Sequence, residues 1–186
     1  MLWVRLLGLN FFYLKGKVVV LLAIDPGTRC SGYGVLKRGG KRTQLLDYGC
    51  WSMSGSKPLI DRIVSFNDFF VSKVEEHGIT DMAIEVPFLG KSVSTYGKLS
   101  YLRGVLYLIA GQRSVTLREF TPRDVKKSVT GSGGASKEQV ANLVVRFFPG
   151  IETNGLKDDT TDALAVGLCC LWDREPSTIC RQSKLF

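Results

Sequence analysis

At 186 residues the chain is long enough to bury one substantial core without covalent staples, and it is of a size that suits a single domain. Hydrophobic residues at 45% and charged residues at 23% are ordinary globular values and exclude wholesale disorder. With 25 Lys and Arg against 17 Asp and Glu, the net charge of +8 suits a polyanionic partner, most simply nucleic acid, a basic solvated face being the plainer alternative.

The first sixteen residues, MLWVRLLGLNFFYLKG, are apolar with two basic residues. They lack the layout and small-residue cleavage site of a secretory signal, and the run is too short and interrupted to span a bilayer. They read as an extension ahead of the first strand, with a misassigned start or a targeting peptide as alternatives. Residues 17–25 form a continuous apolar run that predicts a central strand. Strands over 32–38 and 43–53 follow, and RGGKR at 38–42 is a hairpin signal, so the first three strands are expected to be antiparallel.

Over 58–77 the period changes. Ile60, Ile63, Val64, Phe70, Val71 and Val74 recur mostly at three- and four-residue spacing, with Pro58 near the start and Gly78 just past the end, which predicts an amphipathic helix. DMAIEVPF (81–88) reads as a fourth strand. A helix over 93–110 follows, with Leu99, Leu102, Leu106 and Ile109 as its apolar face and Gly111 as its stop. Gly97 and Gly104, seven apart, would let another helix or a partner subunit approach closely. SVTLREF (114–120) is a fifth strand, and Thr121-Pro122 has the chemistry of a helix start. GSGG (131–134) is a loop, Ser136 and Gln139 form a capping box, and a last helix starts near Asp158 and runs through DALAVGLCCLW. Strands and helices in this order predict one three-layer α/β domain over 17–172, a mixed sheet flanked by helices, with 1–16 as an extension and 173–186 as a tail.

The five cysteines are Cys30, Cys50, Cys169, Cys170 and Cys180. Their odd number and the lack of C-x-x-C spacing read as reduced thiols of a cytoplasmic compartment, neither a disulfide framework nor a zinc site, with Cys169 and Cys170 in the core. The single histidine, His77, sits at an expected helix end, as a cap or surface residue, which leaves little room for histidine-based catalysis.

Carboxylates recur where α/β proteins build their sites. Asp25 ends the first strand, Glu85 lies near the end of the fourth, and Asp159 and Asp162 share one face at the start of the last helix. Each has a plain reading alone: a turn former before Pro26-Gly27, an ion-pair partner, a helix cap. Four acids converging would repel one another, and hard divalent ions with oxygen ligands, Mg²⁺ above all, resolve that conflict.

The stretches AIDPGTRCSGYGV, AIEVPFLGKSVSTYGKLSYLRGVLYLIA, EFTPRDVKKSVTGSGGASKEQV and DDTTDALAVGLC resemble, in order and spacing, the RuvC family of Holliday-junction resolvases, endonucleases with the ribonuclease H-like fold. The resemblance spans nearly all of 20–171. It implies that Asp25, Glu85, Asp159 and Asp162 are the catalytic, metal-binding acids and that two Mg²⁺ serve each site, with Mn²⁺ able to substitute. It places Phe88 where the family has an aromatic at the junction centre, and Lys126 and Lys137 at basic positions tied to DNA binding or catalysis. Val86-Pro87 departs from the glutamine that often follows the family's strand-four glutamate. A homodimer matched to a two-fold four-way DNA junction, action in recombination and repair, and a branch-migration motor as partner are implied as well. Lys91, Arg103 and Arg123 are further candidate phosphate contacts, or solvated surface charges. Rival readings are an actin-like kinase or ATPase, another ribonuclease H-like nuclease, and a junction binder without catalysis. Against them stand the chain length, the long match after Glu85, and the presence of all four acids.

Overall fold

The computed structural model describes residues 18–40, 42–52, 54–86, 93–151 and 157–173. Three strands come first: β1 (Val19–Asp25), β2 (Cys30–Gly39) and β3 (Arg42–Ser52). Helix α1 (Leu59–His77) leads to β4 (Asp81–Glu85), α2 (Val93–Gln112) and β5 (Thr116–Phe120). Three helices close the domain: α3 (Pro122–Thr130), α4 (Lys137–Phe147) and α5 (Asp158–Trp172). The strands form one mixed sheet in the order β3-β2-β1-β4-β5, antiparallel among the first three and parallel from β1 through β4 to β5. This is the expected three-layer arrangement.

Some boundaries move for physical reasons. Helix α2 runs past Gly111 to Gln112, because a lone glycine costs a helix only about 1 kcal/mol. Strand β2 begins at Cys30, two residues before the expected start, paired with Ser52. Pro58 is the N-cap of α1, and Gly78 closes that helix in the left-handed conformation that glycine adopts without strain. Thr121 caps α3 through its side chain, and Ser136 with Gln139 makes the expected capping box on α4. The expected extension and all of the tail but Asp173 lie outside the described residues, as do Phe88 and Lys91.

The sheet has two unlike faces. Successive strand residues point to opposite sides, so Leu22 and Ile24 join Met82 and Ile84 in a cluster with Phe66, Phe70, Leu102 and Leu106 of α1 and α2. Leu21 and Ala83 instead join the cluster with Leu164, Leu168 and the rest of α5. On that side the strands are lined with small residues. A Cβ on Gly34 would collide with Leu164, and one on Gly167 with Leu36 and Ala23. Helix α5 therefore lies close against β1 and β2, nearly all of it buried.

Candidate active site

Parity decides where the strand-end acids point. Asp25 is in phase with Leu21, and Glu85 is in phase with Ala83, both of which pack on the α5 side. Strands β1 and β4 are parallel with Ile24 opposite Ile84, so Asp25 and Glu85 are neighbours at the carboxyl ends of adjacent strands. Directly beside Asp25 in the sheet is Gly32. A Cβ on Gly32 would overlap the carbonyl oxygen of Asp159, so the first turn of α5 rests on bare backbone there. Asp25 and Glu85 thus stand at the carboxyl-terminal edge of the two central strands, and the start of α5, which carries Asp159 and Asp162, rests beside Asp25.

The turn after Asp25 is held firmly. Buried Ser31 accepts a hydrogen bond from the Gly27 amide (3.1 Å) and donates one to the Gly27 carbonyl (3.2 Å). Arg62 of α1 donates to the Thr28 carbonyl. Gly27 is required sterically, because a Cβ would overlap the Cys30 carbonyl.

The carboxylates at this edge are crowded. Burial, followed by the nearby Asp162 carboxylate, pushes the Asp159 carboxyl above the usual carboxylate range. Lys137, the first residue of α4, donates to Asp162 Oδ2 at 2.9 Å. That hydrogen bond, aided by the charges of Asp162, Asp25 and Asp158, holds the Lys137 ammonium above its ordinary value. One lysine is therefore drawn into a nest of acids, as expected where more positive charge is wanted.

The remaining basic candidates are dispersed. Arg103 makes a two-pronged ion pair with Glu119 (2.5 and 2.6 Å), and that partner raises its pKa. Arg123 packs its side chain where Gly133 leaves room. Lys126, also on α3, lends its carbonyl to the Thr130 hydroxyl. His77 ends α1 with Nε2 3.4 Å from Asp47 Oδ2, away from the acidic edge, as the helix-end reading expects.

The cysteines require a correction. Cys30 and Cys50 are joined by a disulfide, contrary to the expectation of reduced thiols throughout. They are 20 residues apart in sequence, but hairpin register sets them diagonally on adjacent strands with a Cα separation of 6.1 Å, within disulfide reach. Cys50 lies opposite Gly32, so this pair sits beside α5. The two sulfurs and an Asp159 oxygen all lie within 4.8 Å of one another, a grouping that C-x-x-C counting could not reveal. Lys157, the N-cap of α5, donates to Ser52 Oγ at 3.1 Å alongside. Cys169 and Cys170 are buried core thiols as expected, and burial pushes them up to about 11 and about 12. Gly32 carries the readable signal for this seat, since glycine inside a strand marks close backbone approach.

Comparison with known proteins bears on this edge. A family model described as crossover junction endodeoxyribonuclease RuvC matches residues 21–170. The protein of that name from Desulfitobacterium hafniense is 33% identical over 151 residues, covering 81% of this chain and 91% of the relative. Its counterpart from Pelodictyon phaeoclathratiforme is 34% identical over 171 residues, covering 89% and 88%. Among solved structures, Thermus thermophilus RuvC in complex with Holliday junction substrate superposes with a TM-score of 0.76 at 24% identity, over 83% of this chain and 93% of that one. The yeast mitochondrial Holliday junction resolvase Ydc2 gives 0.59 at 12% identity, over 81% and 77%. These superpositions show a shared fold.

Proposed function

The chain belongs to the RuvC family of crossover junction endodeoxyribonucleases, and on that premise we propose that it resolves four-way DNA junctions in recombination and repair by paired, symmetric, metal-dependent nicks. The observation that supports this reading is that Asp25 and Glu85 end adjacent central strands of a ribonuclease H-like sheet while the start of α5, with Asp159 and Asp162, rests beside Asp25.

The donor set fits hard divalent cations: carboxylate oxygens from two strand ends and one helix turn, with Asp159 crowded by Asp162. Mg²⁺ is the expected ion, two per site with Mn²⁺ able to substitute; when bound, such ions polarise the scissile phosphate and lower the pKa of water. Asp25 and Glu85, on rigid central strands, would fix the donor positions, and Asp159 and Asp162 would close the site from α5. Lys137 would exchange its bond with Asp162 for a phosphate oxygen as the backbone enters. Lys126 and Arg123 on α3 would extend the phosphate track, with Lys91 and Phe88 as expected contacts beyond the described residues. Arg103 would serve through α2, since Glu119 engages its guanidinium.

A homodimer suits the two-fold symmetry of a four-way junction. Helix α2 supports it. Its buried residues are Leu99, Leu102, Leu106, Ile109 and Ala110, while Tyr101 and Leu108 on the opposite stripe are 57% and 55% exposed. A Cβ on Gly97, Gly104 or Gly111, along that same stripe, would meet nothing within 4 Å. A second copy can therefore approach closely. A branch-migration motor as further partner, a cytoplasmic setting, and 17–172 as the nuclease domain complete the proposal. No helix among the described residues is long and apolar enough to cross a membrane.

The test is nicking of a synthetic four-way junction against linear duplex and RNA hybrid, with Mg²⁺ or chelator. Asp159→Asn and Glu85→Gln should each lower nicking at least about 100-fold, since they remove charge from the reacting centre. Junction affinity should hold within about twofold, because phosphate contacts supply most of it. Loss of binding in step with loss of nicking would mean that the acids are structural.

A further inference from the structure

Asp25 is the last residue of β1, and β2 begins at Cys30, so residues 26–29 connect the two strands at the acidic edge. The β1–β2 pairing ends with Asp25 opposite Gly32, which leaves the connection to be held by other bonds. Those bonds come from the α1 side of the sheet. Gly32 faces the start of α5, so Ser31 and Tyr33 face the opposite way, and Tyr33 joins the cluster of Phe66 and Phe70. Ser31 engages both the amide and the carbonyl of Gly27. Arg62, in the first turn of α1, donates from its guanidinium to the carbonyl of Thr28, the next residue along. Its own amide bonds to the Pro58 carbonyl at 3.2 Å, so the side chain springs from an ordered helix start. Keeping Arg62 there is unfavourable in one respect. Its Nε is buried with no hydrogen-bond partner among the described residues, and a buried donor left unpaired is destabilising.

We propose that Arg62 is a positioning residue of the nuclease site. Through Thr28 it fixes the connection 26–29, and thereby the direction in which Asp25 presents its carboxylate to a cation. The role of Asp25 is taken from the reading above. The sheet fixes the approach of the chain to Asp25, and the connection fixes its exit. Arg62 is thus the place where the α1 layer reaches the acidic edge without adding a group to it. Removing its guanidinium leaves the Ser31 bonds to Gly27 but frees Thr28, so the metal site loosens while the fold persists.

The experiment compares wild type with Arg62→Ala and with Arg62→Met, which keeps an apolar stem and loses the donors. Phe66→Ala is the control, since it weakens the same helix without touching the connection. Amide hydrogen exchange of the full chain, free of DNA and metal, reads the connection. Both Arg62 variants should exchange at least about tenfold faster over 27–29, with β1 amides at wild-type rates. Mn²⁺ titration of the free protein, followed through the paramagnetic signal of unbound ion, reads the site. Half-saturation should rise at least about tenfold in the Arg62 variants, as for lost supports of metal ligands, and stay within about twofold in Phe66→Ala. Nicking should show the same rise in the Mg²⁺ needed for half-maximal rate, with most of the rate restored at saturating Mg²⁺. Wild-type exchange over 27–29 in both Arg62 variants would overturn the anchor. Faster exchange with unchanged Mn²⁺ half-saturation would overturn the positioning of Asp25. Were wild type to take up no Mn²⁺ or to nick no junction, the nuclease reading would fail on its own, and exchange would still decide the anchor.

Discussion

The two faces of the sheet solve different problems with the same strands. The α1/α2 face is built from bulk: Phe66, Phe70, Met82 and Ile84 are fully buried, and Trp51, Phe66, Phe69 and Phe70 pack ring against ring. The α5 face is built from absence, with Gly32, Gly34, Ala23, Ala83 and Gly167 letting a helix settle onto backbone. Their charges differ in the same sense. On the α1 side Asp47 has its own lysine, Lys73, at 2.7 Å. At the α5 edge several acids share the ammonium of Lys137. Bulk and paired charge suit stability, whereas close approach and crowded carboxylates suit the cation site proposed above.

The largest effect should come from the face that does no chemistry. Phe66→Ala removes a fully buried ring from the aromatic cluster and should cost about 3–5 kcal/mol, a Tm fall of roughly 6–20 °C. Nicking per folded molecule, measured well below the melt, should not change. A rate that fell faster than the folded fraction would erase the division of labour between the faces.

A smaller stability change on the other face should have a larger functional one. Gly32→Ala forces a methyl against the Asp159 carbonyl, and overpacking of this kind costs about 1–3 kcal/mol. Such a methyl would stand 1.7 Å from that oxygen, so the first turn of α5 must give way by about an ångström or more, and nicking per folded molecule should fall at least about tenfold, since catalytic geometry tolerates little misplacement. Gly39→Ala, on the same strand where a Cβ meets nothing within 4 Å, is the control and should be silent. If the two variants nick alike, the small-residue face has no bearing on the site.

This division was only half visible in the chain. Continuous apolar runs, the RGGKR turn and the three-and-four spacing of 58–77 specify elements through local rules, and they led to the right sheet. The places of Asp25, Glu85, Asp159 and Asp162 on their elements are legible because strand ends and helix starts are local too. Features that depend on register were hidden. Whether Cys30 meets Cys50 depends on how β2 slides along β3, and that pairing shifts between Val35 and Leu36. The claim of Glu119 on Arg103 joins α2 to β5, and that of Lys137 on Asp162 joins α4 to α5. No spacing rule connects those pairs. Gly111 misled for the opposite reason, since tertiary packing of α2 overrode a local stop signal.

The smallest effects concern charge, and they should have opposite signs on the two faces. For Asp47, burial works against ionisation, but the hydrogen bond and charge of Lys73 outweigh it and hold the carboxyl below its usual range. A depressed carboxyl stabilises the fold above its unfolded pKa, about 4, and loses that contribution as pH falls through its folded value. Lys73→Met should therefore cost about 1 kcal/mol at neutral pH, with the gap to wild type narrowing in acid. Asp159 runs the other way. The start of α5 favours a negative charge there, yet burial and Asp162 prevail and raise the carboxyl. Its protonated form is favoured in the native state, so ionisation weakens the fold as pH rises through the folded value and has no effect below the unfolded one. Asp159→Asn should thus melt above wild type at neutral pH in chelator, by less than Lys73→Met melts below it, and should match wild type in acid. Millimolar Mg²⁺ should raise wild type more than the variant, because binding to the native state adds stability by mass action. Melting curves of the three proteins from pH 3 to 8, with chelator and with Mg²⁺, read all of this. An Asp159→Asn protein that melts below wild type at neutral pH in chelator would mean that the carboxylate is held by structural partners. The α5 edge would then be as well matched in charge as the face behind it.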